Sequence, residues 1–323
     1  MLKIVYAASP EPAVKPLEIL AKNSNFEIVA VITNPATSQK RSKEEIATPV
    51  AVCAKELGIK IFTPQKLAEI VDDLKELKPD ILVCFAYGKI FSESFLSIFP
   101  LGGINLHPSL LPLYRGCAPV PAAILAKDKE TGITIQRIAK KMDSGNILLQ
   151  EKIALNGTET SESLLKSVAN LGGGYFEKVL TQIENGTITE TAQDESKATY
   201  CGMLNKEDGL INWENSAIDI CAKVRAFYPW PGTFTQNNGN TLLIHAAKVL
   251  AENELTALST EIIENEKNAK PGTVLGMCKK HGIIIKTGSG LLCVTNLQWK
   301  TKKAMDYKSF LNGSRDFIGS VCE

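Results

Sequence analysis

The sequence predicts an α/β protein in which a doubly wound parallel sheet is followed by a smaller, β-rich domain. In the first part of the chain, apolar runs of strand length alternate with longer runs whose apolar residues recur at helical spacing. Further on, short strand-like runs with glycine turns replace this alternation. A chain of 323 residues, 44% of them hydrophobic, is long enough for two domains. We predict these domains at residues 1–187 and 207–323, joined by a polar linker at 188–206.

The elements of the first domain follow from its apolar patterns. Short apolar or β-branched runs predict buried strands at residues 3–9, 26–33, 59–64, 80–88, 103–108 and 131–139. Helical spacing predicts helices at residues 14–24, 48–58, 65–79, 119–130 and 161–186. Sheets of this type bind their ligands beyond the carboxyl ends of the strands, so we expect the functional residues there.

The second domain is predicted to be a small β-barrel of the OB type. A helix is expected at residues 216–227, and short strands follow it, with Asn238 and Gly239 as a hairpin turn. Short strands at close spacing, separated by glycine turns, are typical of such barrels. Residues 251–270 are acidic and predict an exposed excursion from the barrel.

Composition excludes several classes of protein. The net charge of +1 gives no global sign of nucleic-acid binding, so any such role depends on local patches. Eight cysteines without a Cys-x-x-Cys pair predict buried thiols in a reducing compartment. No run reaches membrane-spanning length, and the first ten residues do not resemble a signal peptide. We therefore expect a cytoplasmic protein without membrane contact.

The segment GGINLHP contains the strongest candidate for a functional site. Side chains alternate along a strand, so Ile104 and Leu106 are expected to pack inward while Asn105 and His107 share the other face. Pro108 keeps His107 extended, at the carboxyl end of the predicted strand. For an isolated Asn-x-His pair, ordinary loop hydrogen bonds are the simpler interpretation. The surrounding residues change that interpretation.

NLHPSLLPLYRG, followed by GITIQRIAKKMDSGNILLQ, resembles the folate-dependent formyltransferases. The likeness runs almost end to end and includes FAYGKIF, KEDGLINW and RAFYPWPGTF. It implies transfer of a formyl group from 10-formyltetrahydrofolate, without a metal. It also implies that Asp143, on a loop after a strand, joins Asn105 and His107 as a catalytic residue.

The chemistry of formyl transfer suits these three residues. The reaction passes through a tetrahedral oxyanion, which Asn105 or a protonated His107 could stabilise; losing one such donor costs about 3–4 kcal/mol. Asp143 is the candidate for moving a proton between the attacking amine and the leaving folate nitrogen, directly or through a water. The amine is itself the nucleophile, so no covalent intermediate is needed, and Cys117 is predicted to be a packed thiol.

The resemblance also implies where the folate binds. It would lie in a cleft beside four residues of the motif, Ser109, Leu110, Leu111 and Pro112. Its pterin edge would meet the backbone of FAYGKI, at Phe85, Tyr87, Gly88 and Ile90. The alternative for Phe85 and Tyr87 is that they simply end a core strand. Arg115 is expected to hold the motif loop rather than touch the substrate.

The acceptor implied by the resemblance is the methionyl group of initiator tRNA. Two basic segments are candidates for phosphate contacts: the first contains Lys40, Arg41 and Lys43, and the second Lys300, Lys302 and Lys303. The alternative for both is a solvated, charged surface. FYPWPG is predicted to pack the second domain rather than stack on a base. We expect a monomer in the bacterial cytoplasm.

Other functions fit the sequence less well. A formyltransferase acting on an amino sugar nucleotide would share the catalytic motif, and a glycinamide ribonucleotide formyltransferase would share it but end near residue 200. A vestigial folate site on an RNA-binding or regulatory protein fits poorly with three intact catalytic residues. YAASPEP lacks the G-x-G of a dinucleotide-binding dehydrogenase. His107, His245 and His281 are too widely separated to predict a metal site.

Overall fold

A computed structural model of the protein describes residues 1–38 and 45–323. Lys40, Arg41 and Lys43 lie outside the described residues. The chain divides into two compact units: the first is Met1–Pro119, Lys129–Leu155 and Ser163–Gly202, and the second is Val120–Asp128, Asn156–Glu162 and Met203–Glu323. The domain boundaries drawn from the sequence stay a prediction. Residues 188–202 of the predicted linker are grouped with the first unit.

The elements up to residue 202 include every predicted strand and helix. The strands are β1 (Leu2–Ala8), β2 (Phe26–Ile32), β3 (Thr37–Ser38), β4 (Glu45–Ile46), β5 (Ile61–Phe62), β6 (Ile81–Phe85), β7 (Gly103–His107), β8 (Arg115–Gly116), β9 (Glu130–Arg137), β10 (Ile147–Ala154) and β11 (Tyr200–Cys201). The α-helices are α1 (Val14–Lys22), α2 (Pro49–Glu56), α3 (Val71–Leu77), α4 (Glu93–Leu96), α5 (Pro119–Ala126) and α6 (Ser161–Glu184). Helix α4 and the strands β3, β4, β8, β10 and β11 are additions that the patterns did not predict.

The main sheet of the first unit confirms the predicted doubly wound fold. Its strand order is β10-β9-β7-β6-β1-β2-β5. The five strands from β7 to β5 are parallel, whereas β9 and β10 run antiparallel at one edge. The chain leaves β1 toward β2 and β5 and then returns to β6 and β7 on its other side. The carboxyl ends of β1 and β6 therefore form the switch point at which such sheets bind ligands.

Helix α6 packs close behind the strand that carries the catalytic motif. Phe176 and Leu180 have no exposed surface and lie in the core of the first unit. A Cβ on Gly172 would stand 2.6 Å from Cδ1 of Leu106, and one on Gly173 would stand 2.5 Å from Cδ1 of Ile19. The glycine-rich middle of the helix thus permits a close approach to β7 and α1.

The second unit contains an antiparallel sheet and four short helices from residue 203 onward. The strands are β12 (Thr233–Asn237), β13 (Asn240–Val249), β14 (Val274–Cys278), β15 (Gly282–Lys286), β16 (Leu291–Trp299) and β17 (Met305–Asp306). The helices are α7 (Ala217–Ala226), α8 (Glu252–Leu255), α9 (Thr260–Asn268) and α10 (Tyr307–Asn312). The sheet order is β12-β13-β16-β15-β14, with β17 beside β16.

The last residues of the chain join the two edge strands of this sheet. Gln236, at the end of β12, exchanges both backbone hydrogen bonds with Glu323, at 3.0 and 2.8 Å. On the opposite edge, the N–H of Val274 in β14 donates to the carbonyl of Ser320 at 2.9 Å. The sheet is therefore closed into the predicted barrel, since the terminal segment pairs with both edges.

Two predictions for the second unit need correction. Residues 251–270 are not a fully exposed excursion: they carry α8 and α9, and Ile262 is 3% exposed in a cluster with Leu275. FYPWPG packs only in part, because Phe227 is buried while Trp230 is 58% exposed. In the first segment Leu258 and Ala269 also pack against this cluster. Among the described residues, no helix has the length and apolar character needed to cross a membrane.

The packing of α6 predicts a large effect of one substitution. Phe176→Ala should lower the free energy of unfolding by about 3–5 kcal/mol, because it empties a fully buried ring site behind the sheet. Leu171→Ala, in the same helix at 43% exposure, should cost less than about 1 kcal/mol. Urea unfolding followed by circular dichroism measures both. Equal losses for the two variants would contradict this packing.

Candidate active site

Strand β7 and the loop after β9 bring the predicted catalytic residues together. In β7, Asn105 is paired with Cys84 of β6 on one side and with Gln136 of β9 on the other. His107 ends β7, and its side chain is only 5% exposed. The loop after β9 carries Asp143 back to this strand, as the sequence predicts.

The imidazole of His107 has a defined proton arrangement. Its Nε2 lies 2.9 Å from the carbonyl oxygen of Tyr114. A carbonyl oxygen only accepts, so Nε2 carries the hydrogen and donates it. Nδ1 is therefore the nitrogen that gains or loses a proton, and it lies 3.6 Å from Oδ2 of Asp143.

Burial lowers the pKa of His107, and the nearby Asp143 carboxylate and Tyr114 carbonyl oppose this effect only in part. The neutral imidazole is thus favoured at neutral pH. This differs from the expectation that a protonated His107 could stabilise the oxyanion. The motif alone indicates neither the burial of the ring nor its hydrogen bond to Tyr114.

Asp143 is held by hydrogen bonds to both carboxylate oxygens. Oδ1 accepts from Nε2 of Gln136 at 2.9 Å, and Oδ2 accepts from the backbone N–H of Gly116 at 2.8 Å. The Asp143 backbone is left-handed, with φ of 50°, which is uncommon outside glycine. Two residues on, a Cβ on Gly145 would stand 1.8 Å from the carbonyl oxygen of Arg137, so only glycine fits there.

The motif loop after β7 is stabilised by its own polar groups. Ser109 is buried, and its hydroxyl donates to the carbonyl of Leu113 at 2.6 Å. The Thr134 hydroxyl donates to the carbonyl of Ser109 at 2.7 Å and accepts from the N–H of Leu111 at 3.2 Å. Leu111 is buried, whereas Leu110 and Pro112 are half-buried. Leu110 and Pro112 thus keep part of their surface accessible, and their contact with folate stays a prediction.

The predicted pterin-binding segment separates into core and accessible residues. Phe85 and Tyr87 are 2% and 1% exposed, and the Tyr87 ring stacks on Phe91 with centroids 5.6 Å apart. These two side chains belong to the core, as the alternative interpretation holds. Gly88 has φ of 83° and open space where a Cβ would stand, and Ile90 is 77% exposed. The backbone beside Gly88 is thus accessible to a flat ligand. Binding through this backbone stays a prediction.

Arg115 is fully buried and holds the motif loop, as predicted. Nη2 and Nη1 donate to the two carboxylate oxygens of Glu195 at 2.6 and 3.1 Å, and Nη1 also donates to the Tyr200 hydroxyl. Arg115 and the exposed Lys141 together hold the pKa of Glu195 down to about 2. Both acceptor residues, Glu195 and Tyr200, lie within residues 190–202. This support could not be predicted from the sequence, because isolated polar residues in a non-periodic segment give no signal of what they bind.

The remaining predicted residues lie elsewhere. Lys300, Lys302 and Lys303 are exposed at the turn between β16 and β17 of the second unit. In the parts of the chain that the structure describes, no group of three or more His, Cys, Asp or Glu side chains could hold a metal ion.

Comparison with known proteins identifies the family. The model of the formyl transferase domain matches residues 3–180, and the model of the formyl transferase C-terminal domain matches residues 203–315. The chain belongs to the formyl transferase family. A methionyl-tRNA formyltransferase of Treponema denticola is 47% identical over 328 residues, covering 98% of each chain. Another, of Carboxydothermus hydrogenoformans, is 37% identical over 323 residues and covers 100% of both chains.

Solved formyltransferase structures share the fold. The N-formyltransferase from Helicobacter canadensis, in complex with folinic acid and dTDP-3-aminofucose, covers 91% of this chain and 99% of its own, with a TM-score of 0.64 at 21% identity. HypX from Aquifex aeolicus, in complex with tetrahydrofolic acid, reaches the same TM-score at 15% identity, covering 98% of this chain and 48% of its own. The formyl transferase fold predicted from the motif is confirmed. The C-terminal match does not fit a single-domain enzyme that ends near residue 200.

The environment of His107 predicts its titration. With only three histidines in the chain, its imidazole signal can be followed by NMR and assigned through His107→Gln. We expect a midpoint below the usual value of about 6.5, because burial disfavours the charged ring. In Asp143→Asn the midpoint should fall further, since the negative charge that favours the charged ring is gone. A wild-type midpoint at or above 6.5 would contradict the buried placement.

Proposed function

We propose that this chain transfers the formyl group of 10-formyltetrahydrofolate to the α-amino group of methionyl initiator tRNA, for translation initiation. The observation that carries the proposal is the contact between the buried His107 and the half-buried Asp143, beside Asn105 in a formyl transferase domain. Full-length relatives named methionyl-tRNA formyltransferase support this choice of acceptor. They are bacterial, which supports a location in the bacterial cytoplasm, and we expect the enzyme to act as a monomer.

Asn105 is the better candidate for the oxyanion donor. When the amine attacks the formyl carbon, a new C–N bond forms and the carbonyl electrons move to oxygen. The Nε2 hydrogen of His107 is already donated to Tyr114, and its Nδ1 faces a carboxylate. The half-buried amide of Asn105 is not constrained in this way, so its N–H group can be directed at the developing negative charge.

The His107–Asp143 pair can move the proton that the reaction requires. The attacking nitrogen must lose one proton, and the folate nitrogen must gain one as its bond to the formyl carbon breaks. The neutral imidazole of His107 can accept one proton at Nδ1, and the facing carboxylate stabilises the imidazolium that forms. The pair thus accepts the proton from the amine and returns it to the leaving nitrogen.

An amino sugar nucleotide is the second candidate acceptor. Its specific support is the N-formyltransferase from Helicobacter canadensis, which aligns over almost its whole chain. The decisive experiment offers the purified protein radiolabelled 10-formyltetrahydrofolate with methionyl initiator tRNA, methionyl elongator tRNA or an amino sugar nucleotide. Label on initiator tRNA alone supports the proposal. Label on the sugar would support the amino sugar nucleotide as acceptor, with the same catalytic residues. Absence of label from all three acceptors would support a vestigial folate site.

The catalytic roles predict the cost of two substitutions. Asn105→Ala should lower kcat about 10²- to 10³-fold, as expected for loss of an oxyanion donor. Asp143→Asn should lower it about 10²- to 10⁴-fold, because the proton pair is broken. Asn185→Ala, an exposed position after α6, is the control and should retain wild-type turnover. Single-turnover formylation measures all three, and unchanged turnover in Asp143→Asn would refute its assignment.

We infer that Lys300, Lys302 and Lys303 contact tRNA phosphates. The three ammonium groups are exposed on one turn of the barrel domain, where they can approach a backbone without rearranging the core. Lys40, Arg41 and Lys43 are proposed as a second phosphate-binding segment on the basis of the family resemblance. Phosphate contacts of this kind position a nucleic acid without reading its bases.

Charge removal on that turn should change the salt dependence of tRNA binding. Replacing Lys300, Lys302 and Lys303 by Ala should reduce the slope of log K against log salt by about 2 to 3, close to one counterion for each phosphate contact. A triple Ala variant at Lys267, Lys279 and Lys280, also exposed in the second unit, loses the same charge and should keep the wild-type slope. If both triple variants reduced the slope of log K against log salt equally, net charge alone would explain the change and the proposed phosphate contacts would be contradicted.

A further inference from the structure

We propose that Gln193 is a positioning residue for formyl transfer, whose carboxamide holds the loop of Asp143 in its active geometry. This inference rests on the function proposed above and assigns to the segment after α6 a part in catalysis. Gln193 lies within the polar stretch predicted as a linker, residues 188–206. It does not touch the reacting atoms in this arrangement, and it acts through Asp143.

The amide nitrogen of Gln193 binds the backbone on both sides of Ser144. Nε2 donates to the carbonyl oxygens of Asp143 at 2.9 Å and Gly145 at 2.8 Å, and it lies 3.2 Å from Oε1 of Gln136. An amide nitrogen has two hydrogens, and these acceptors use both. Gln136 in turn donates its own amide hydrogen to Oδ1 of Asp143. One side chain therefore orients the Asp143 backbone and the amide that holds its carboxylate.

The amide oxygen of Gln193 binds the guanidinium of Arg115. Oε1 accepts from Nε and Nη2 of Arg115 at 3.0 and 2.8 Å. Arg115 directly precedes Gly116, whose N–H binds Oδ2 of Asp143. Arginine only donates and carbonyl oxygens only accept, so the orientation of the Gln193 amide is determined by its partners. Gln193 thus connects both groups that bind the Asp143 carboxylate.

The loop needs such support because its own packing is poor. Residues 139–142 are exposed, and Asp143 has the left-handed φ of 50°. A left-handed backbone at a residue other than glycine persists only where surrounding contacts enforce it. Gln193 supplies such contacts, because it binds the backbone carbonyls of Asp143 and Gly145 from outside the loop.

The test compares isosteric and apolar replacements. Gln193→Glu keeps the shape but places an acceptor opposite three oxygen acceptors, and Gln193→Leu removes the polar group. We expect kcat for formyl transfer to fall about 10- to 100-fold in both, with KM for folate and acceptor within about twofold, because a small displacement of the reacting groups is costly. Asp194→Asn, whose side chain caps Ser196 within the same segment, is the matched control and should remain at the wild-type rate.

Two further measurements distinguish positioning from a general structural role. Hydrogen exchange of residues 138–146 should accelerate in both Gln193 variants and not in Asp194→Asn; this measurement needs no acceptor and stands even if the proposed acceptor is wrong. In the Asp143→Asn background, Gln193→Glu should cause no additional loss of kcat, since its effect passes through Asp143. A full additional loss there, unaltered exchange of the loop, or wild-type kcat in both single variants would overturn the proposal.

Discussion

The whole site depends on the contact between a buried imidazole and a carboxylate carried by a different loop. Burial alone would leave His107 a neutral, inert core side chain, and Asp143 alone would be a loop carboxylate. With 3.6 Å between Nδ1 and Oδ2, the carboxylate favours the protonated imidazole and opposes in part the lowering of the His107 pKa by burial. The fold must therefore place a left-handed loop residue opposite the last residue of a central strand, and much of the surrounding structure serves this requirement.

The strand ends themselves could be predicted, because their causes are local. Apolar runs define β6 and β7, and alternation along β7 assigns Asn105 and His107 to one face. The motif then identifies Asp143 on the next loop. The antiparallel direction of β9 and β10 could not be predicted in this way, since the apolar periodicity of a strand does not indicate in which direction it runs. It is this antiparallel pairing that places Gln136 beside Asn105.

Residues that act through long-range hydrogen bonds could not be predicted in the same way. Gln136 and Gln193 are 57 positions apart, and each is one polar residue in an unremarkable sequence context. Closure of the barrel has the same origin, since Ser320 and Glu323 have no strand pattern and pair with the edges only because the fold brings them there. Pattern-based prediction succeeds where a repeated burial of side chains drives the structure, and fails where single polar contacts do.

The buried guanidinium of Arg115 shows what these single contacts contribute. Removing a charge from water is costly, and an apolar side chain of similar size often serves stability equally well. Here the guanidinium is surrounded by the Glu195 carboxylate, the Gln193 amide oxygen and the Tyr200 hydroxyl. An apolar replacement could fill the space but could not orient an amide or fix the angle of the next N–H. The arrangement is therefore explained by directional hydrogen bonding, which sets the position of the Gly116 N–H that Asp143 accepts.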